Sequence, residues 1–228
     1  MGAAELSARS FPDPRFARHA PLLALVEPRL PAGELAHDRD HLARVYHWAI
    51  LLAPEAGADP DLCGATALVH DLVFVPKDSV DRAQGGERSA AAAGETLAAC
   101  GYAEADIGAI ADAVRTSSWS RGLAPVNPIG VVLQDADRLD AIGAVGLMRN
   151  LACAQYMSRA DRPGRFYHRE DPLAASGRAL DDRLHAVDHC FAKLLKLASG
   201  MKLPSAQAEA RRRHAFLEAF LAELAREI

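Results

Sequence analysis

Apolar positions recur at helical spacing along most of this chain. Over about residues 35–53, His41, Val45, Trp48 and Leu52 fall on one stripe at intervals of three and four, the period of a buried helix face. "APEAGADPD" ends that segment. Asp59 followed by Pro60 reads as an N-cap and first helical residue, opening a helix that runs through His70 and Asp71 until Pro76 stops the segment. Alanine-rich helices follow at about 88–100, closed by Gly101, and at about 104–116, where Ile107, Ile110, Ala111 and Val114 form the buried side. Asn127 and Pro128 open a helix over about 128–157. Two more, at about 180–199 and 205–227, complete the pattern, the last capped by Ser205. No segment reads as a strand.

The connections differ in kind from these segments. Residues 1–20 carry two prolines, scattered charge and weak periodicity, and read as an N-terminal arm ahead of a single helical domain over 21–228. "VPKDSVDRAQGGERS" is too polar for a core, and "RADRPGRFYHREDPLAASGR" is rich in arginine, with glycine and proline breaking its periodicity. Both suit loops that meet a substrate.

Composition supports an all-α fold. Half of the 228 residues are hydrophobic but only 6% are aromatic, a balance dominated by alanine, leucine and arginine that favours helix over sheet. The net charge of −4 gives no reason to expect a stable nucleic-acid partner. Four cysteines, widely spaced and without a CxxC pair, speak against zinc-finger and thioredoxin chemistry and for free buried thiols. The first residues lack the apolar core of a signal peptide, and no 18-residue apolar run occurs, so the expectation is a soluble, cytoplasmic protein with no membrane partner.

Within this pattern a few polar residues stand where apolar ones are expected. "ALVHDLVF" (67–74) sets His70 beside Asp71 inside an apolar run, although neighbouring helical side chains point about 100° apart. "VVLQDADRLDAIGAVGLMR" again embeds carboxylates in an apolar stripe. Together with His41 on the first long helix, His70, Asp71 and Asp137 offer two imidazoles and two carboxylates, a set suited to Mn²⁺, Fe²⁺, Co²⁺, Ni²⁺ or Zn²⁺ with positions left open for water or phosphate. Asp135 competes with Asp137 for the last place.

These segments resemble the HD-domain metal-dependent phosphohydrolase superfamily, whose pattern is a histidine, an HD pair on a later helix and an aspartate on a third. "HLARV", "LVHDLVF" and "ADRLDAIGAVG" match the three in order. The resemblance narrows to small single-domain bacterial HD proteins of the YedJ and YpgQ type through "HDRDHLARV", "VPKDSVDR", "QDADRLDAIGAVG" and "DHCFAKLLKL", covering the chain from about residue 37 to its end. It implies an HD-type helical bundle, with a metal-binding core over about 35–157 and a C-terminal helical extension over about 180–227. It also implies one divalent transition ion held by His41, His70, Asp71 and Asp137, the family's "AD" step favouring Asp137 over Asp135.

The implied chemistry is hydrolysis of a phosphomonoester or pyrophosphate bond in a small phosphorylated metabolite, a nucleotide first among them, by a metal-activated water. Asp71 would ligate and also take the water's proton. Lys77 would act on the reacting phosphate, with Arg44, Arg82, His189 and Lys193 as further substrate contacts; Arg44 follows His41 by three residues and so shares its helix face. His37 and Asp38 also spell HD, but precede the ligand helix and suit a role in starting it or in orienting a ligand.

The chain departs from relatives at two places. Phe74 and Val75 stand where nucleotide-pyrophosphatase relatives carry acids, and "SSWS" puts Ser117 where many carry a histidine. No histidine occurs between Asp71 and Asp137, which favours one metal and weighs against the di-iron, oxygenase-type alternative. A non-catalytic, metal-stabilised ligand-binding or regulatory domain is the other alternative, and homodimerisation is left open.

Overall fold

The computed structural model describes residues 10–76 and 79–228, and the regular elements among them are all helical. A lone bridge between Arg165 and His185 is the only β-type pairing in the described residues. The chain divides into two compact units. The first takes in residues 10–32, His37–Val75 and Val80–Asp137, and the second Gly33–Ala36, Pro76, Ser79 and Arg138–Ile228.

In the first unit, α1 (His19–Val26) is a helix that the periodicity did not reveal. Its His19 is fully buried, with Nδ1 2.7 Å from the Tyr46 hydroxyl and Nε2 3.0 Å from the Asp61 carbonyl. Helix α2 (Arg39–Leu52) starts later than its apolar stripe suggests because Asp38 is its N-cap, the carboxylate accepting the His41 N–H at 2.8 Å. The predicted stripe of His41, Val45, Trp48 and Leu52 is buried throughout.

Helix α3 (Pro60–Val69) opens as expected, with the Asp59 carboxylate accepting the Asp61 N–H at 2.9 Å and Pro60 in the first turn. It ends sooner than expected. His70 is its C-cap and Asp71 lies in the turn beyond, so the HD pair terminates the helix rather than riding on it. Helices α4 (Gly85–Ala99) and α5 (Glu104–Arg115) form an antiparallel pair joined at Gly101, whose φ of 78° is left-handed. Leu42, Leu52, Leu68, Leu97, Ile110 and Leu133 are each under 2% exposed and make the core of this unit. Removing side chains of this size from water supplies about 1.5–3 kcal/mol each, before the entropy of ordering them.

Helix α6 (Pro128–Asp140) opens at Asn127, whose side chain accepts the Gly130 N–H at 2.8 Å. The single helix expected over 128–157 is in fact two, because the chain turns at Ala141–Ile142 and resumes as α7 (Gly143–Met157). Two glycines make that turn. Gly143 has φ of 78°, and a Cβ at Gly146 would collide with the carbonyl carbon and oxygen of Ala141. Gly146→Ala is therefore expected to destabilise the protein by about 2–3 kcal/mol, since backbone must move to admit the methyl. Chemical denaturation checks this; a midpoint equal to wild type would mean that the turn yields freely.

The second unit continues through an irregular stretch to α8 (Ala186–His189), which runs directly into a π-turn (Cys190–Leu194) and then α9 (Leu195–Leu197). Residues 180–185, expected to be helical, are not. Asp188 explains the late start: it is fully buried, receives two hydrogen bonds from the Arg178 guanidinium at 2.8 and 2.6 Å, and accepts the Asp181 N–H at 2.8 Å. That ties residues 178–181 in an extended approach to the helix. The last helix, α10 (Pro204–Glu227), begins with Leu203 as N-cap and Pro204 in the first turn, so Ser205 is not its cap. Leu139, Ile142, Leu197 and Leu217 centre the core of this unit.

Candidate metal centre

The early end of α3 brings His70 and Asp71 together. Just past the last helical residue, two adjacent side chains escape the 100° divergence that a continuing helix would impose. The His70 Nδ1 lies 2.8 Å from the Ala67 carbonyl, which can only accept, so Nδ1 keeps its proton and Nε2 is the nitrogen that a proton or a metal ion would take. That Nε2 is 3.3 Å from an Asp71 oxygen and 4.0 Å from an Asp137 oxygen. His41, from the first turn of α2, places its Nε2 at 3.4 Å from His70 Nε2, 3.7 Å from Asp71 and 3.9 Å from Asp137.

These separations suit a shared ion. Ligands about 2.1 Å from one metal stand roughly 3.0–3.5 Å apart when they subtend about 90–110°. The donor atoms of His41, His70 and Asp71 all lie within 4.8 Å of one another, while Asp137 faces the two imidazoles from outside that tighter trio. Asp135, about 200° round α6 from Asp137, is fully buried.

Burial divides the four by type. The His41 side chain is 0% exposed and that of His70 3%, whereas Asp71 and Asp137 are 40% and 33% exposed, so the imidazoles form a dry floor and the carboxylates a wet rim. Burial alone would push the His70 ring towards neutrality, but the charge and hydrogen bond of Asp71, helped by Asp137, raise its pKa to about 9. Burial likewise opposes ionisation of Asp71, and the His70 charge with the close approach of the His41 and His70 imidazoles holds its carboxyl well below the usual range. The excess of negative charge that draws a proton onto His70 is the field that draws a divalent cation.

The cations expected at the substrate are placed unevenly. Arg44 is half-buried on α2, and Arg82 is exposed with one guanidinium nitrogen donating to the Val75 carbonyl at 2.9 Å. Lys77 lies outside the described residues. His189 and Lys193 are half-buried in the second unit, His189 as the last residue of α8 and Lys193 within the π-turn that follows. His189 Nδ1 is 2.9 Å from an Asp182 oxygen, a partner with no sequence signal. The His37 ring lies 5.8 Å from that of His41 and 5.5 Å from that of Phe74.

The HD domain family matches residues 39–142, the span that holds all four residues of the cluster. Bacillus subtilis YpgQ is 30% identical over 197 residues, covering 84% of each chain. The chain belongs to the HD-domain family. The crystal structure of YpgQ in complex with ADP superposes with a TM-score of 0.64 at 27% identity, covering 91% of this chain and 96% of that one. A Lactobacillus plantarum protein gives 0.69 at 28% identity over 92% and 96%. A Bacillus thuringiensis protein described as an HD-superfamily hydrolase gives 0.63 at 25% identity over 90% and 94%. HD domains bind divalent metal, and the donor set of this HD domain fits one. Among the described residues no helix is long and apolar enough to cross a membrane.

Proposed function

We propose that this protein is a metal-dependent phosphohydrolase that cleaves a phosphomonoester or pyrophosphate bond in a small phosphorylated metabolite, a nucleotide in the first instance. The observation that carries the reading is the meeting of two buried imidazoles and two half-exposed carboxylates, with separations of 3.3–4.0 Å between each histidine Nε2 and the other donors. The ADP complex of YpgQ supports the nucleotide class.

In this reading His41, His70, Asp71 and Asp137 hold one divalent transition ion. Such an ion, when bound, lowers the pKa of a water towards neutrality and polarises a phosphoryl oxygen. Asp71 takes the water's proton: it is anionic at neutral pH, and its exposure leaves room for solvent at the reacting face. His70 stays fixed by its bond to Ala67, so the donor set does not have to reorganise as charge develops. Arg44 and Arg82 offset the charge of the substrate phosphate. Lys77 meets the reacting phosphoryl group.

Metal-reconstituted protein should release phosphate or pyrophosphate from at least one nucleoside mono-, di- or triphosphate. Silence across that panel with Mn²⁺, Co²⁺ and Ni²⁺, while the metal still raises thermal stability, would favour a non-catalytic domain. Lys77→Ala should lose on the order of 10²–10³ in turnover of the best substrate, the worth of one transition-state contact. Its melting temperature should stay within about two degrees of wild type, as for a polar-loop substitution. A wild-type rate in Lys77→Ala would remove this residue from the reaction.

A further inference from the structure

In the second unit a cavity of about 430 Å³ opens between residues 195–201 and α10. Gln207, Arg211 and His214 face it from α10 at intervals of four and three, and so share one side of the helix. Leu195 and Met201 supply apolar surface, and Ser199 a hydroxyl.

Two cationic or cationisable groups here have spare capacity. Arg211 makes no ion pair or hydrogen bond among the described residues. His214 has a buried Nδ1 with no hydrogen-bond partner, while its Nε2 lies 3.4 Å from a Glu218 oxygen. The other nearby acid, Glu209, is taken up by Arg212 and Arg213 at 2.6 and 2.7 Å. The neutral groups have the opposite character. Gln207 Nε2 donates to the Met201 and Lys202 carbonyls at 3.2 and 3.4 Å, and the Ser199 hydroxyl donates to Lys196 at 3.0 Å. What Gln207 Oε1 and Ser199 Oγ have left to offer is acceptance.

We infer that this cavity binds a small phosphomonoester whose organic part carries hydrogen-bond donors. Arg211 and His214 Nδ1 receive the phosphoryl group, a pair of cations matching a dianion better than a carboxylate. Gln207 Oε1 and Ser199 Oγ accept from the organic part, whose apolar face lies on Leu195 and Met201. A phosphoryl oxygen at Nδ1 draws a second proton onto the ring, and Glu218 at Nε2 stabilises that charge. None of these residues belongs to the metal cluster, so the inference stands independently of hydrolysis.

The test uses the full chain, metal removed by chelation, with ¹⁵N-labelled histidine followed by NMR against adenosine monophosphate, adenosine and inorganic phosphate. Adenosine monophosphate should shift the His214 Nδ1 signal saturably, and adenosine and inorganic phosphate should each bind about tenfold or more weakly. Arg211→Gln, at an exposed position that keeps the helix, should weaken binding by about tenfold, the loss of one charge-assisted contact. His214→Gln, followed by calorimetry, should weaken it as well. Nucleotide bound at the metal cluster instead would move His41 and His70 and leave His214 still. That result, an unchanged affinity in Arg211→Gln, or inorganic phosphate binding as well as the nucleotide would overturn the proposal.

Discussion

Asp71→Asn should lower metal-dependent turnover by on the order of 10²–10³, because the amide keeps an oxygen for the ion but gives up the charge and the proton acceptor. His70→Ala should go further and leave only background hydrolysis, since it removes one of two buried nitrogen donors. The same variants have a readout that needs no substrate. Metal at a hundred times its dissociation constant stabilises the native state by about 2.7 kcal/mol. For a chain of this length that is a rise of roughly 5–10 °C in melting temperature. Wild type should show the rise and His70→Ala should not. Full activity in either variant would detach the HD pair from the chemistry.

Arg178→Met is expected to have the largest effect on stability. Asp188 has no exposed surface and Arg178 only 15%, so removing the guanidinium strands a carboxylate in the interior, a change that costs about 3–5 kcal/mol. The melting temperature should fall by roughly 10 °C. Adding Asp188→Leu to the same chain should recover much of the loss, because the pair is then replaced by apolar surface rather than broken.

The pH dependence follows from the same pair. Burial alone would raise the Asp188 carboxyl, but the Arg178 hydrogen bonds and charge, the Asp181 N–H and His185 outweigh it and hold the pKa below its ordinary value. A depressed folded pKa adds stability that is fully present above the unfolded value, about 3.9, and is lost as pH falls through the folded one. Wild type should therefore lose this contribution below about pH 4. An acid limb as steep in Arg178→Met as in wild type would assign the dependence to other carboxylates.

How legible these features were in the sequence depends on whether their cause is local. The starts of α3 and α6 follow from Asp59 with Pro60 and Asn127 with Pro128, because a cap needs only its own side chain and the next three residues; α2, expected from about residue 35, begins only at Arg39, behind Asp38. The break between α6 and α7 was hidden. Gly143 and Gly146 sit in a run whose apolar period continues undisturbed, and the close approach of Gly146 to Ala141 exists only once the turn has formed. Helix α1 escaped for a related reason: its buried His19 is satisfied by Tyr46 and by the Asp61 backbone, partners 27 and 42 residues away.

The cluster lies between these cases. His70 and Asp71 were conspicuous as polar neighbours in an apolar run, but nothing local says that α2, α3 and α6 carry His41, the HD pair and Asp137 to one point. That came from resemblance across three separated motifs. The Ala67 carbonyl that fixes the His70 tautomer, and Asp182 beside His189, had no sequence signal, since a backbone acceptor and a loop carboxylate look the same whether or not they are used.

The most direct test of the account is an anomalous-scattering experiment on crystals of the protein loaded with Mn²⁺ or Co²⁺. A single peak should lie about 2.0–2.3 Å from donor atoms of His41, His70, Asp71 and Asp137. A peak ligated by Asp135 with Asp137 turned away, two peaks sharing the cluster, or no peak among these four residues would contradict it.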